Sequence, residues 1–354
     1  MKYSLLFFRD QFNNYTIMKK TTLFLIFLLV AFSYSTAQKS VALHSNGTTT
    51  IFGGDTPLTE AYNAAVTGDT LYVSGGNFVS PTTIDKGLII IGAGYDTDST
   101  AVTGKTYFYS STINSGRIVI GPNASNLYLE GIQLQGGLYK ADTDITGFTL
   151  IRLKIADIYF VNTGTVPTNA SIIQCDIAGD LNIQGVTYSV ISNCILRGRL
   201  ANSNSNVFKN NVITQDNGFG TISNSVSNTF TNNIFATPSL LSDGGCSYNN
   251  FQYNIFAHAS PTFGSGATDL NNYKGIDIAT VFVNMATSDF HLLPDASSTY
   301  LGDDATEVGI YGGFLPFKEG AVPINPHISF KSIQTTTDSN GLLNISFKVE
   351  AQQN

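Results

Sequence analysis

Three stretches of the chain share one skeleton: NVFKNNVI (206–213), NTFTNNIF (228–235) and NNFQYNIF (249–256). Each carries a phenylalanine, an asparagine three positions on, and a further apolar residue two positions after that. The leading residues Phe208, Phe230 and Phe251 are 22 and 21 residues apart. The same phase continues upstream through LEGIQL (129–134), LIRLKI (150–155), IIQCDI (172–177) and ISNCIL (191–196). The first column therefore reads Leu129, Leu150, Ile172, Ile191, Phe208, Phe230, Phe251. The middle column reads Ile132, Leu153, Cys175, Cys194, Asn211, Asn233, Asn254. The last reads Leu134, Ile155, Ile177, Leu196, Ile213, Phe235, Phe256.

A period near twenty residues is too short for the helical repeats, which need about 33 or more. It suits one turn of a β-coil with three short strands. Coils stack about 4.8 Å apart, so every column stacks on itself and the apolar columns form a continuous core. A buried amide needs its hydrogen bonds met, and an asparagine stacked on an asparagine can meet them. Asn211, Asn233 and Asn254 are thus expected to form a ladder at one inward-facing turn. By the same phase, Cys175 and Cys194 are expected as neighbouring buried thiols, about 5 Å apart at Cα and not disulfide-bonded. The fold expected is all-β, a parallel solenoid of about ten coils.

The ends differ from the repeat. In TPLTEAYNAAVTGDTLYVSGGNFVSPTTIDKGLIIIGAGY (56–95), Thr56 suits an N-cap and Pro57 a first helical position. Leu58, Ala61, Tyr62 and Ala65 then share one helical face, and Gly68 stops it. This predicts a short helix capping the first coil. SDFHLLPDASSTYLGDDATEVGIYGG (288–313) reads as a closing coil, and FLPFKEGAVPINPH (314–327) as a proline-rich covering loop. ISFKSIQTTTDSNGLLNISFKVEAQ (328–352) reads as two alternating strands around DSNG, a hairpin cap.

With the repeat, the stretches 56–95 and 288–313 resemble the opening and closing coils of the right-handed parallel β-helix, or pectin-lyase-like, group of secreted bacterial proteins. The resemblance covers residues 45–315, leaving 316–354 as a C-terminal loop and hairpin. It implies a right-handed coil. It implies little about activity, because this fold hosts lyases, hydrolases, epimerases, adhesins and non-enzymes.

Residues 1–37 read as a secretory signal: Lys19 and Lys20, the apolar run LFLIFLLVAF (23–32), then small residues with cleavage expected after Ala37. Met18 opens a more conventional signal of the same kind. Ten apolar residues are too few for a spanning helix, which needs about 20, and no later stretch is long and apolar enough. Cleavage would remove four basic residues and one acidic one, taking the formal charge from −7 to −10. That balance argues against a nucleic-acid partner, which calls for a basic face.

Candidate chemistry is sparse. Three residues past the last apolar column stand Asp180, Arg199 and Asp216, on successive coils. Lyases resembling this chain use acidic side chains around calcium with an arginine or lysine as base. Here an arginine between two aspartates neutralises them, whereas calcium needs six to eight oxygens. The column reads as a surface ion-pair ladder, and Lys154 with Asp176 as a second such pair. Asp303 and Asp304 read as turn residues. The four histidines, His44, His258, His291 and His327, have no zinc spacing. No cofactor is expected, with calcium reserved for the lyase alternative. The aromatics of TYFYSS (106–111) and DIYF (157–160) are candidates to stack on sugar rings.

Between the two inward columns runs an outward one: Gln133, Lys154, Asp176, Ile195, Val212, Ile234, Ile255. Its last four members are aliphatic and predict something laid over them. Residues 314–352 are the cover expected, with a partner surface as the alternative. The function expected is that of a secreted or cell-surface protein, structural or binding extracellular polysaccharide or a cell-surface component. The alternatives are a polysaccharide lyase or glycoside hydrolase, and an adhesin for another protein.

Overall fold

The computed structural model describes residues 39–110, 116–140, 144–161, 168–215, 220–238, 241–242 and 244–351. The expected signal, its cleavage point and Asp216 lie outside the described residues. The chain is a parallel β-solenoid of about nine turns rather than ten. Its turns supply strands to a twelve-stranded, a ten-stranded and a seven-stranded sheet. The register joins Leu129 to Leu150, then Ile172, Ile191, Phe208, Phe230 and Phe251. Every member of the three inward columns is buried. Like therefore stacks on like: the Phe208, Phe230 and Phe251 rings lie 4.8 Å apart in turn, which is the inter-strand spacing itself.

At the bend between the first two sheets the chain turns on one residue of positive φ. In successive coils this is Gly131, Arg152, Gln174, Asn193, Asn210, Asn232, Tyr253 and Asn271. Asparagine tolerates that conformation better than most residues, which explains the Asn-Asn pairs of the sequence. The second asparagine of each pair points inward. Asn211 Nδ2 donates to Asn233 Oδ1, Asn233 Nδ2 to Asn254 Oδ1, and Asn254 Nδ2 to Asn272 Oδ1, each at 2.9 Å. The ladder thus reaches one rung further than the sequence reading took it. A second ladder stands at the bend leading into the first sheet, where Asn206 N donates to Asn228 Oδ1 at 3.0 Å and Asn228 Nδ2 to Asn249 Oδ1 at 3.1 Å.

Cys175 and Cys194 continue the first ladder as sulfur. Both are fully buried and free of disulfide, and Cys175 N donates to Cys194 Sγ at 3.4 Å. Cys246 is also free and buried. A thiol reagent is therefore expected to label none of the three in the native protein and all three after denaturation without reductant. One labelled thiol in the denatured protein would mean a disulfide.

The first sheet begins with an antiparallel hairpin, Ser40–Ser45 and Thr48–Gly53, turning on Asn46 and Gly47. This hairpin was not read from the sequence. The helix Pro57–Ala64 buries Leu58 and Ala61 against the core. Thr56 precedes it but makes no side-chain cap, because its hydroxyl donates to Glu60 Oε1 at 2.9 Å instead.

The aliphatic outer column is covered, but not by the segment expected. Ile195, Val212, Ile234 and Ile255 form a second core with Val281, Phe282, Phe290, Leu292, Ala296, Val308 and Ile310. Residues 288–313 are thus no closing coil. After the last coil the chain folds back over the ten-stranded sheet and continues as a strap along the positive-φ bend. Asn232 Nδ2 donates to Asp303 Oδ1 at 2.7 Å, Asn193 Nδ2 to Ile310 O and Gly312 O at 2.9 Å, Gln174 Nε2 to Pro316 O at 2.6 Å and Arg152 Nη1 to Val322 O at 2.8 Å. Arg152 also pairs with buried Glu130 at 3.4 Å. A hairpin does follow, His327–Ile333 with Ile345–Glu350, yet its apolar residues are largely exposed and it takes no part in the second core. Phe317, at the margin of that core, is the one contribution from 314–352. A covered face needs apolar side chains from its cover, and 281–310 supplies them in place of the hairpin.

Candidate functional site

The column that is outward at its start in the seven-stranded sheet runs in register Val119, Tyr139, Tyr159, Asn182, Ala201, Ser223, its first three members at least partly exposed and its last three buried. Alternation sets it: Leu138, Ile158, Phe160, Leu181 and Ile183 on either side are buried. The two tyrosine rings stand parallel at 7°, with centroids 6.0 Å apart. Tyr159 is 37% exposed. Neither phenol hydroxyl hydrogen-bonds to any described residue. The face therefore offers two fixed rings and two free hydroxyls to solvent.

Charges border this face, and each is paired. Arg117 lies 5.6 Å from the Tyr159 ring and bonds to the Asp157 carboxylate, which raises Arg117 above its ordinary value. Gly137 makes room for that carboxylate, because a Cβ there would sit 1.5 Å from Asp157 Oδ1. On later coils Arg199 N donates to Asp180 Oδ1 at 2.8 Å and its guanidinium to Asp180 Oδ2 at 3.1 Å. Both partners of this second pair are over a third exposed, so it contributes about 0–1 kcal/mol.

The remaining sequence candidates lie elsewhere. Lys154 and Asp176 are register neighbours, but Asp176 takes Arg197 as its partner at 2.8 Å, and Arg197 reaches on to Ser288 in the cover. Asp303 and Asp304 do more than turn the chain, since both hold Lys209, at 3.1 and 3.5 Å. His291 stacks on Tyr311 at 4.0 Å beside Asp289, and His44 and His258 make local hydrogen bonds. Tyr107 and Tyr109 stack on each other over the ten-stranded sheet at 6.4 Å.

A calcium ion does not fit the Asp180–Arg199 column. Both Asp180 oxygens already accept from Arg199, and among the described residues no group of three or more His, Cys, Asp or Glu converges. Burial raises the Glu307 carboxyl, but Glu307 belongs to the strap. Sequence reasoning found Tyr159 and missed Tyr139. The signal was there: GGLYKAD and ADIYFVN place tyrosine at one phase, 20 residues apart, between residues that turn inward.

No protein-family model, no curated protein and no solved structure matches this chain. Among the described residues no helix is long and apolar enough to cross a membrane.

Proposed function

We propose that this is an exported β-solenoid of the pectin-lyase-like group that binds extracellular or cell-surface polysaccharide without cleaving it. The observation that carries the reading is the outward Tyr139–Tyr159 pair with its free hydroxyls. A tyrosine ring packs against the C–H face of a sugar while its hydroxyl meets the ring's polar rim. Export is supported by the signal-like residues 19–37 and the acidic balance of the rest.

The paired charges support binding over cleavage. Glycoside hydrolysis needs two carboxylates about 5–10 Å apart, one of them able to hold a proton. Asp157 and Asp180 instead each accept from an arginine, so both carboxylates are engaged within the protein rather than turned to a substrate.

A panel of neutral and acidic polysaccharides, assayed for binding and for product release with and without calcium, tests the proposal. At least one polysaccharide is expected to bind with no product in either condition. Tyr159→Ala is expected to weaken that binding about tenfold, equivalent to about 1.4 kcal/mol. Product release would replace the reading with the lyase or hydrolase alternative. An undiminished Tyr159→Ala would remove the face from it.

A further inference from the structure

Over the twelve-stranded sheet, a cleft of about 470 Å³ opens between the first coils and the base of the C-terminal hairpin. Its volume is within the roughly 300–1,000 Å³ of small-molecule sites. One wall is an outward row of the twelve-stranded sheet, on which Ile51, Ala42, Tyr72 and Ile91 follow in register. Ile51 is 65% and Tyr72 45% exposed. The opposite wall includes Ile328, with His327 and Lys331 beside it. Two apolar walls thus face one gap.

Two polar groups in this lining make no hydrogen bond or ion pair with any described residue, although His327 lies near enough to Glu350 to act on its charge. Lys331 makes no ion pair with any described residue. His327 Nδ1 is buried without a hydrogen bond. Glu350 stands opposite His327 in register, but its carboxylate pairs with Lys348. A buried polar atom left unpaired is costly, and a free ammonium beside apolar surface favours an anion with an apolar body.

We propose that this cleft binds an amphiphilic monocarboxylate, its hydrocarbon against Ile51, Tyr72 and Ile91 and its carboxylate on Lys331, beside His327. The site is separate from the tyrosine face and does not depend on glycan binding. Ionic charge complementarity selects the carboxylate over a neutral or cationic head.

Calorimetric titration with octanoate, octanol and octylamine, each below its aggregation threshold, tests this. Octanoate is expected to bind about tenfold more tightly than octanol, and octylamine not at all. Lys331→Gln, an exposed substitution whose fold is checked by circular dichroism, is expected to bring octanoate down to the octanol level. Tyr72→Ser is expected to weaken both. The proposal fails if octanoate shows no advantage over octanol, if that advantage survives Lys331→Gln, or if none of the three probes binds.

Discussion

Asn233→Leu is expected to lower the unfolding free energy by about 2–4 kcal/mol, because removing its amide leaves buried groups unpaired at about 1–3 kcal/mol each. Asn233 Oδ1 accepts from both Asn211 N and Asn211 Nδ2 at 2.9 Å. Its Nδ2 donates to Asn254 Oδ1 and Phe208 O at 2.9 Å and to Thr231 O at 3.1 Å. Leucine has similar size, so the loss is chemical rather than a cavity. The backbone N–H of Asn211 has no water to turn to, since Asn211 is fully buried. Chemical denaturation measures the change, and a midpoint unmoved from the wild type would mean that the ladder contributes no net stability.

Phe290→Ala is expected to cost about 3–5 kcal/mol, the usual range for emptying a buried phenylalanine site. Phe290 is 2% exposed, meets Phe282 edge-on at 5.3 Å and carries Arg197 at 5.8 Å over its ring. Loosening the cover should also uncover Ile195, Val212, Ile234 and Ile255 and raise binding of a hydrophobic dye. Deleting residues 327–354 should act in the opposite sense. The hairpin exposes Phe330, Ile333, Ile345 and Phe347, so its loss should lower dye binding and barely move the melting temperature. Raised dye binding on hairpin deletion would restore the hairpin as the cover.

The two halves of that contrast show where sequence carries structure and where it does not. The coil columns were legible because stacking places residues one period apart in contact, so the core writes itself as a repeat. The aliphatic run Ile195, Val212, Ile234, Ile255 was legible as a face needing cover for the same reason. What covers it was not, because residues 281–310 pack across several coils and have no period to reveal them. Alternation in 328–352 suggested a better cover, yet alternation fixes only which side chains share a face, not where the face docks. The strap's anchors were hidden differently. Arg152, Gln174, Asn193 and Asn232 occupy one turn position with three different side chains, so a common backbone conformation left only a partial mark. At the candidate site, register alone brings Tyr139 beside Tyr159. Their free hydroxyls and the pairing of Arg117 with Asp157 depend on side-chain geometry.

Hydrogen exchange of the protein with and without a bound polysaccharide tests the functional account most directly. The seven-stranded sheet is predicted to gain protection at Leu138–Lys140 and Ile158–Phe160, the strands that carry the two tyrosines, with the strap and hairpin unchanged. Protection confined to the hairpin or to the outer side of the ten-stranded sheet, with those two strands unaffected, would contradict it.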